Sequence, residues 1–384
     1  MNYRQKTEEP GKAGGSGKHA TWHSFVTTHA ASRMARIAVS VSSVLFSVSS
    51  VSALGFDVVT PGKKIEFPRD AGSHPGHRVE WWYVTGNLET KRGPMGFQVT
   101  FFRFANPGAE SNPSRFSPRQ LLFAHAALAD PSKARLLADQ RSARIVEGVA
   151  DASVSDTDVK IDDWSLARAG RGYRTRIAGE SFALELEFEA TQAPMLQGDL
   201  GFSRKGPSPT QASYYYREPH LRVSGRVSSH GESLEVGGVA WLDHEWSSEL
   251  LADEAQGWDW LGANLDDGGA LMAFRMRGRD GAPIWAAATY RSPNGESKSF
   301  GPADVSFAPR RAWKSPRTNA AYPVAMDVTV GSMKWTIEPL LDDQELDARS
   351  STGTVYWEGA VRVGGASPGR GYLELTGYSG RLRF

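Results

Sequence analysis

Short runs of alternating apolar and polar residues fill the chain from Phe56 onward. In Phe182–Phe188, leucine and phenylalanine alternate with glutamate, which is the period of a strand with one buried and one exposed face. Val79–Leu88 and Phe97–Phe104 are richer in aromatic and β-branched residues, and a Lys-Arg-Gly-Pro turn separates them. No segment sustains a helical period. The pattern therefore predicts an all-β protein.

Two hairpins stand out in the second half of the chain. His220–Ser228 and Ser233–Leu242 flank His230-Gly231, and Asp266-Asp267-Gly268-Gly269 is a strong hairpin turn signal. A faint internal repeat links the two halves of the chain, because WYVTGNL at Trp82–Leu88 resembles WLGANL at Trp260–Leu265. Each half of the repeat has the length of one small barrel. Two tandem barrels would explain the repeat, and so would a chance likeness between two Trp-rich strands.

The tandem-barrel interpretation divides the mature chain into two domains. The expected N-terminal barrel covers residues 56–230, and the expected C-terminal barrel covers residues 231–384. Small up-and-down barrels hold side chains or one apolar ligand in their interior.

The first residues of the chain have a different character. Residues 1–33 are polar and rich in Gly, Lys and His, which is typical of a disordered segment or of an open reading frame that begins too early. In residues 34–53, Arg36 precedes an apolar, Ser-rich run that ends in Val51-Ser52-Ala53. This is the pattern of a cleavable signal peptide. We expect a periplasmic or secreted protein starting near Leu54, with Met34 as a possible start; a transmembrane anchor is the alternative.

Charge and cysteine content exclude several classes of function. The 384 residues carry a formal net charge of +1, so nothing points to a nucleic-acid partner. The chain has no cysteine, which excludes disulfides, thiolate metal sites and cysteine nucleophiles. There is also no Gly-x-Ser-x-Gly elbow, no His-Glu-x-x-His zinc motif and no phosphate-binding glycine loop.

The stretch from Ala240 to Leu265 carries most of the candidate chemistry. Asp243, His244 and Glu245 stand in a row between Trp241 and Trp246. Titratable groups among indoles are candidates for shifted pKa values. On a strand, His244 and Trp246 share one face and Asp243 and Glu245 share the other. Because apolar residues share the face of the first pair, we expect that face to point into the interior. A histidine that only satisfies a hydrogen bond in the core is the alternative for His244.

Two carboxylates are expected to lie beside indoles in the repeated strands. Glu80 precedes Trp81, Trp82 and Tyr83, and Asp259 stands between Trp258 and Trp260. Because an unpaired ionised carboxylate is costly to bury, each should be protonated or bonded to a donor, with Arg103, His77 and His244 as candidates. We expect the C-terminal strand to serve the site, because Asp243 to Glu245 should lie on the strand beside it.

The sequence resembles a known family. HPGHRVEWWYVTG, GFQVTFFR, RQLLFAHAAL, QASYYY, AWLDHEWSS, GWDWLGANLDDGGALMAFR and STGTVYWEG together look like the AttH-like family of exported bacterial proteins, which is similar to the carotenoid 1,2-hydratases. The resemblance covers nearly the whole mature chain. It implies two tandem lipocalin-like β-barrel domains, in agreement with the pattern of strands.

The resemblance also implies an activity. Carotenoid hydratases use a His-x-Trp pair with a nearby aspartate. His244 and Trp246 match that pair, and Asp243 and Asp259 are the nearest aspartates. The implied ligand is an isoprenoid or lipid, and the implied reaction is hydration of an isolated alkene by a desolvated acid, with no cofactor and no metal. Expected ligand-binding residues are Glu80, Trp81, Trp82, Tyr83, Glu245, Trp258 and Trp260. Alternatives are a non-catalytic periplasmic lipid carrier beside an ABC transporter, and a secreted hydrolase.

Overall fold

The computed structural model describes residues 55–381, apart from 107, 110, 111, 113, 115, 116 and 250. The predicted polar leader (1–33) and signal peptide (34–53) lie outside the described residues. The described residues form three short 3-10 helices, at Arg69–Ala71, Pro131–Lys133 and Pro302–Asp304. All other regular elements of the described chain are strands, so the predicted all-β class is confirmed.

Thirteen strands of the described chain form the first sheet. They are β1 (Val79–Thr90), β2 (Gly93–Ala105), β3 (Gln120–Ala129), β4 (Leu137–Arg144), β5 (Ala150–Ala152), β6 (Asp158–Ile161), β7 (Trp164–Ala169), β8 (Gly172–Ala178), β9 (Phe182–Ala190), β10 (Met195–Leu196), β11 (Phe202–Arg204), β12 (Ala212–Ser229) and β13 (Glu232–Glu249). Their order is β4-β3-β2-β1-β13-β12-β9-β8-β7-β6-β5, with β10 and β11 paired to β12.

Ten strands, all within residues 255–375 of the described part, form the second sheet. They are β14 (Ala255–Leu265), β15 (Ala270–Gly278), β16 (Pro283–Arg291), β17 (Ser297–Phe300), β18 (Val305–Lys314), β19 (Ala321–Val330), β20 (Met333–Pro339), β21 (Glu345–Ala348), β22 (Thr354–Gly365) and β23 (Gly369–Leu375). Their order is β17-β16-β15-β14-β23-β22-β20-β19-β18, and β21 pairs with β22.

Each sheet curls around its own apolar core. Strands β3 and β4 approach β6 in the first sheet, and β15 and β16 approach β18 in the second. Trp82, Trp164 and Trp246 lie in the first core, and Trp335 and Trp357 lie in the second. This is the two-barrel, lipocalin-like architecture expected from the sequence.

The division between the two sheets falls later than expected. The hairpin around His230-Gly231 is present, but both of its strands belong to the first sheet, because β13 pairs with β12 on one side and with β1 on the other. The boundary at residues 230/231 is therefore corrected to the segment between Glu249 and Ala255. The sequence signal at His230 was a hairpin turn and not a domain junction.

A third apolar layer lies between the two barrels. Outward-facing side chains of the first barrel, including Tyr83, Tyr215 and Trp241, pack against Trp260 and Phe274 of the second. The barrels are in contact where β2 meets β22. A Cβ at Gly96 would stand 2.4 Å from the Cβ of Ala360, so only glycine fits there. Among the described residues, no helix is long and apolar enough to cross a membrane.

Candidate functional site

Strand β13 has different chemistry on its two faces. His244 and Trp246 are fully buried inside the first barrel, as the alternation of apolar residues predicted. Asp243 and Glu245 point the other way and line a cavity between the barrels. This separation follows from strand geometry, in which successive side chains point to opposite faces.

The cavity between the barrels is lined mainly by aromatic residues. Its space is about 760 Å³, including the part open to solvent. The lining residues are Trp81, Tyr83, Thr100, Phe102, Lys205, Tyr215, Asp243, Glu245, Trp258, Trp260, Phe274, Met276, Tyr356, Glu358 and Glu374. The first barrel supplies the set up to Glu245 and the second barrel supplies the rest, so neither barrel forms the cavity alone.

Strand pairing brings the two sequence motifs of the first barrel together on one wall. Trp81 lies directly opposite Glu245 in the β1–β13 ladder, and Tyr83 lies opposite Asp243. Such cross-strand neighbours lie about 5 Å apart at their Cβ atoms. The wall therefore alternates aromatic rings with carboxyl groups.

Three carboxyl groups of the cavity favour the protonated form. Burial raises the pKa of Asp243 to about 7, although Tyr215 and Arg217 act in the opposite direction. Burial also raises the pKa of Glu374 to about 7. The pKa of Glu358 lies well above its ordinary value because of burial and because Glu374 is close. These groups can donate protons at neutral pH, which exposed carboxylates cannot do.

Two polar contacts fix the acidic wall of the first barrel. The hydroxyl of Tyr215 donates to Oδ1 of Asp243 at 2.6 Å. The ammonium of Lys205 lies 2.8 Å from Oε1 of Glu245, and both side chains are buried. The cavity thus combines carboxyl groups that favour protonation with a carboxylate held in an ion pair.

A second polar cluster lies inside the first barrel, and we call it the histidine cluster: Asp70, His74, Glu80, Arg103 and His244. Oε1 of Glu80 contacts Nδ1 of His74 at 2.7 Å and Nε2 of His244 at 2.9 Å. Arg103 donates from Nε to the other carboxylate oxygen at 2.7 Å. Nε2 of His74 lies 3.2 Å from Asp70. The cluster is buried throughout.

In the histidine cluster, burial and neighbouring charged groups shift the pKa values in opposite directions. Burial opposes ionisation of Glu80, but Arg103 and both imidazoles hold its pKa well below its usual value. Burial alone would lower the pKa of His74, yet the bonds to Asp70 and Glu80 outweigh it and raise that pKa. Burial lowers the pKa of His244, so this imidazole is neutral. The ring of His74 stacks on Trp246 with centroids 3.8 Å apart, a favourable geometry for a cation on an indole.

The histidine cluster also has the composition of a metal site. Ligand atoms of His74, Glu80 and His244 lie within 4.8 Å of one another. Both imidazoles, however, contact one oxygen of Glu80 directly at 2.7 and 2.9 Å. Two ligands on one zinc ion stand about 3.3 Å apart, given metal–ligand bonds of about 2.0 Å. The present distances fit a hydrogen-bonded network, and the sequence prediction of no metal stays a prediction.

Comparison with known proteins identifies the family. The model of the family described as AttH-like matches residues 58–378. The chain belongs to the AttH-like family. A solved AttH structure from Nitrosomonas europaea is 53% identical, with a TM-score of 0.79, and the match covers 84% of this chain and 100% of that one.

A more distant structure shares the fold of this AttH-like protein. Kievitone hydratase from Nectria haematococca is 15% identical, with a TM-score of 0.59, and the match covers 85% of this chain and 96% of that one. At this level of identity the likeness shows the fold alone. A search of curated proteins gave no match.

The AttH-like structure separates the predicted site residues into two groups. Trp81, Tyr83, Asp243, Glu245, Trp258 and Trp260 line the cavity between the barrels. Glu80, Trp82, His244 and Trp246 lie in the interior of the first barrel instead. His244 and Trp246 therefore do not share the cavity with the acidic residues.

Asp259 belongs to neither group. It is buried inside the second barrel, where Arg275 and Arg277 donate to its two oxygens at 2.6 and 3.0 Å. The expected neighbour relation is also corrected, since β13 pairs with β1 and not with the strand of Trp258 and Trp260. The expectation that Glu80 and Asp259 bond to donors is confirmed. Glu80 bonds to the expected Arg103 and His244, and His74 takes the place expected for His77.

Sequence reasoning missed the acidic wall of the second barrel. Glu358 follows Tyr356 and Trp357, and Glu374 stands between leucines. A lone glutamate inside an aromatic strand was the signal that singled out Glu80, and the same signal is present at Glu358. Lys205 had no such signal, because it lies in a Gly/Pro-rich stretch that resembles a surface loop.

Proposed function

We propose that this AttH-like protein is an acid–base enzyme that adds water to an isolated alkene of a hydrophobic isoprenoid or lipid, in the cavity between the barrels. One observation carries the proposal: carboxyl groups that favour protonation meet aromatic walls in one cavity. An isolated alkene accepts a proton only from an acid that is held uncharged near it. The resemblance to carotenoid hydratases points to the same reaction.

In the proposed reaction, residues from both barrels take part. Glu358 gives its proton to one alkene carbon, and the other carbon becomes a carbocation. Indole faces of Trp81, Trp258 and Trp260 stabilise that cation, each by about 2 kcal/mol when desolvated. Water attacks the cation and loses a proton to the carboxylate of Glu245, which completes the addition. No cofactor takes part in these steps.

The proposed role of the His244 and Trp246 pair is indirect. Both residues lie on the barrel-interior face of β13, and Asp243 and Glu245 lie on the opposite face of the same strand. The hydrogen bond from His244 to Glu80 and the packing of Trp246 on His74 would hold the strand in place. In this proposal the pair positions the acids and does not touch the ligand.

Incubation with a cellular lipid extract in water labelled with heavy oxygen tests the proposal. We expect mass spectrometry to find a lipid that has gained one labelled water with the native protein and not with Glu358→Gln. Glu296→Gln, at an exposed turn, is the matched control and should behave as the native protein does. A lipid bound but recovered unchanged by all three would support the carrier alternative. The hydrolase alternative has no supporting contact among the described cavity residues.

Export also belongs to the proposal. The apolar run after Arg36 and the small residues at Val51 and Ala53 support a periplasmic protein, where a membrane transporter could supply or receive the ligand. Protein isolated from the periplasm should begin near Leu54 by N-terminal sequencing. Recovery of full-length protein from the cytoplasm only would refute export.

A further inference from the structure

A line of hydrogen bonds runs from the cavity to the surface of the molecule. The hydroxyl of Tyr356, which lines the cavity, lies 2.7 Å from Nδ1 of His125. Nε2 of His125 lies 2.8 Å from Oγ of Ser351, and that hydroxyl donates to Oε1 of Gln140 at 2.6 Å. His125 belongs to the first barrel and Tyr356 to the second, so the line crosses between them.

We propose that Tyr356, His125 and Ser351 form a proton path that connects the buried carboxyl of Glu358 with solvent. The proposal rests on the proposed function, because it names how the acid of that site exchanges its proton. Glu358 stands two residues from Tyr356 on the same face of β22, and the two side chains interact. Glu358 is only 2% exposed, whereas Ser351 and Gln140 are half-buried at the outer end of the line.

The hydrogen-bond partners fix the direction of the line. Gln140 uses its amide nitrogen to donate to the backbone oxygen of Asp347 at 2.8 Å, so its oxygen accepts from Ser351. Ser351 then has no second proton and must accept from Nε2–H of His125. A neutral imidazole carries one N–H, so Nδ1 accepts from Tyr356. Every donor in the resting line points outward.

The protonation state of His125 fits this assignment. Burial lowers the pKa of its imidazole to about 3, so the ring is neutral at any physiological pH. A neutral ring with one acceptor and one donor nitrogen passes a proton on without keeping it. Phe102 packs against the ring with centroids 5.0 Å apart, which holds the ring in its plane.

The transfer balances at each atom. The proton of Glu358 goes to the oxygen of Tyr356, whose own proton goes to Nδ1 of His125. The Nε2 proton of His125 moves to Ser351, and Ser351 releases its proton to solvent. Glu358 is then ionised, each relay group is neutral as before, and one proton has left. The reverse transfer restores the starting state, so the buried acid stays in equilibrium with the solvent.

Infrared spectroscopy during transfer from H₂O to D₂O measures this exchange without a substrate. The C=O band of a protonated carboxyl that disappears in Glu358→Gln reports Glu358. We expect its exchange to slow about tenfold or more in His125→Leu and in Ser351→Ala. Ser350→Ala changes the exposed neighbouring serine and should keep the native rate. Ser351→Ala keeps the test valid should His125→Leu fail to fold.

Two outcomes would overturn the path. One is an unchanged exchange rate in Ser351→Ala, which would mean that protons enter through the cavity mouth. The other is a native protein in which no protonated-carboxyl band depends on Glu358. The hydration assay with lipid extract tests the proposed function separately. Slowed exchange without added water would support the path and contradict the proposed function. Added water without slowed exchange would contradict the path and support the proposed function.

Discussion

Asp243 shows how a single strand position can hold an acid near neutrality. Its carboxyl is buried in the wall of the cavity, accepts a hydrogen bond from Tyr215 and lies near Arg217. Burial favours the protonated form and the two neighbours favour the ionised form, which leaves the pKa at about 7. A carboxyl with this pKa exists in both forms at neutral pH, as acid–base catalysis requires.

The raised pKa of Asp243 predicts a stability effect with a definite sign. An unfolded aspartate has a pKa of about 3.9, so between about pH 4 and about pH 7 the folded state binds more protons than the unfolded state. Stability therefore falls as pH rises through this window, by up to about 1.4 kcal/mol per pH unit from this group. Asp243→Asn does not titrate, so urea unfolding should show the variant gaining on the native protein as pH rises. If the free energy of unfolding had the same pH dependence in both proteins, the raised pKa of Asp243 would be contradicted.

The ion pair of Lys205 and Glu245 predicts a second effect. Both side chains are buried, so Lys205→Met should leave Glu245 without its partner and lower the free energy of unfolding by about 3–5 kcal/mol. Replacing both residues, as Lys205→Met with Glu245→Leu, should recover most of that loss because no charge remains buried. Chemical unfolding measures both losses. Equal losses in the single and double variants would show that lost packing, and not the unpaired charge of Glu245, lowers the free energy of unfolding.

At the scale of strands, the local sequence pattern predicted where strands lie better than it predicted which strands pair. The run Val79–Leu88 became β1 with nearly the expected ends, and the His230-Gly231 hairpin formed. The pairing of β13 with β1 joins residues 148 to 168 positions apart, and nothing local in the sequence encodes it. Because of that pairing, Asp243 and Glu245 belong to the first barrel, whereas Asp259 belongs to the second.

The same limit explains what was predicted of the site. Alternation within β13 was enough to separate the His244 face from the Asp243 face. It could not show that Glu358 and Glu374 face Asp243 across the cavity, because that contact depends on how two barrels pack. Trp81, Trp258 and Trp260 were found because indoles beside carboxyl groups are visible in the sequence itself.

The distribution of tryptophans predicts which fluorescence signals a ligand will change. Trp81, Trp258 and Trp260 line the cavity, whereas Trp82 and Trp246 lie inside the first barrel. A hydrophobic ligand in the cavity should quench the first three and leave the other two unchanged. Trp→Phe replacements, made one at a time, will separate the signals by steady-state fluorescence. Quenching that disappears in Trp246→Phe or Trp82→Phe would place the ligand inside the first barrel.

At the scale of the whole molecule, the cavity exists only because the barrels approach closely. Gly96 in β2 faces Ala360 in β22, and a Cβ on Gly96 would stand 2.4 Å from that of Ala360. We expect Gly96→Ala to push the barrels apart and to cost about 1–3 kcal/mol, the usual range for overpacking. Thermal unfolding measures the loss, and weaker binding of a fluorescent fatty acid would report the altered cavity.

Gly301→Ala is the matched control for that experiment. The added methyl group at Gly301 would meet nothing within 4 Å, and the backbone there is extended. We expect no more than a few tenths of a kcal/mol from it, as for an ordinary surface substitution. A similar loss in both variants would mean that glycine content, and not the approach of the barrels, sets the stability.

The different chemistry of its two faces fixes the register of β13 between β1 and β12. A strand has a side-chain period of two, so a slip of one residue exchanges its faces. Such a slip of β13 would direct the imidazole of His244 and the indole of Trp246 into the cavity. Asp243 and Glu245 would then enter the apolar interior of the first barrel. Because two carboxyl groups would then lie in an apolar core, the two faces of β13 hold the strand in register. A residue inserted at the exposed His230-Gly231 turn should therefore be accommodated by the loop and leave the cavity unchanged.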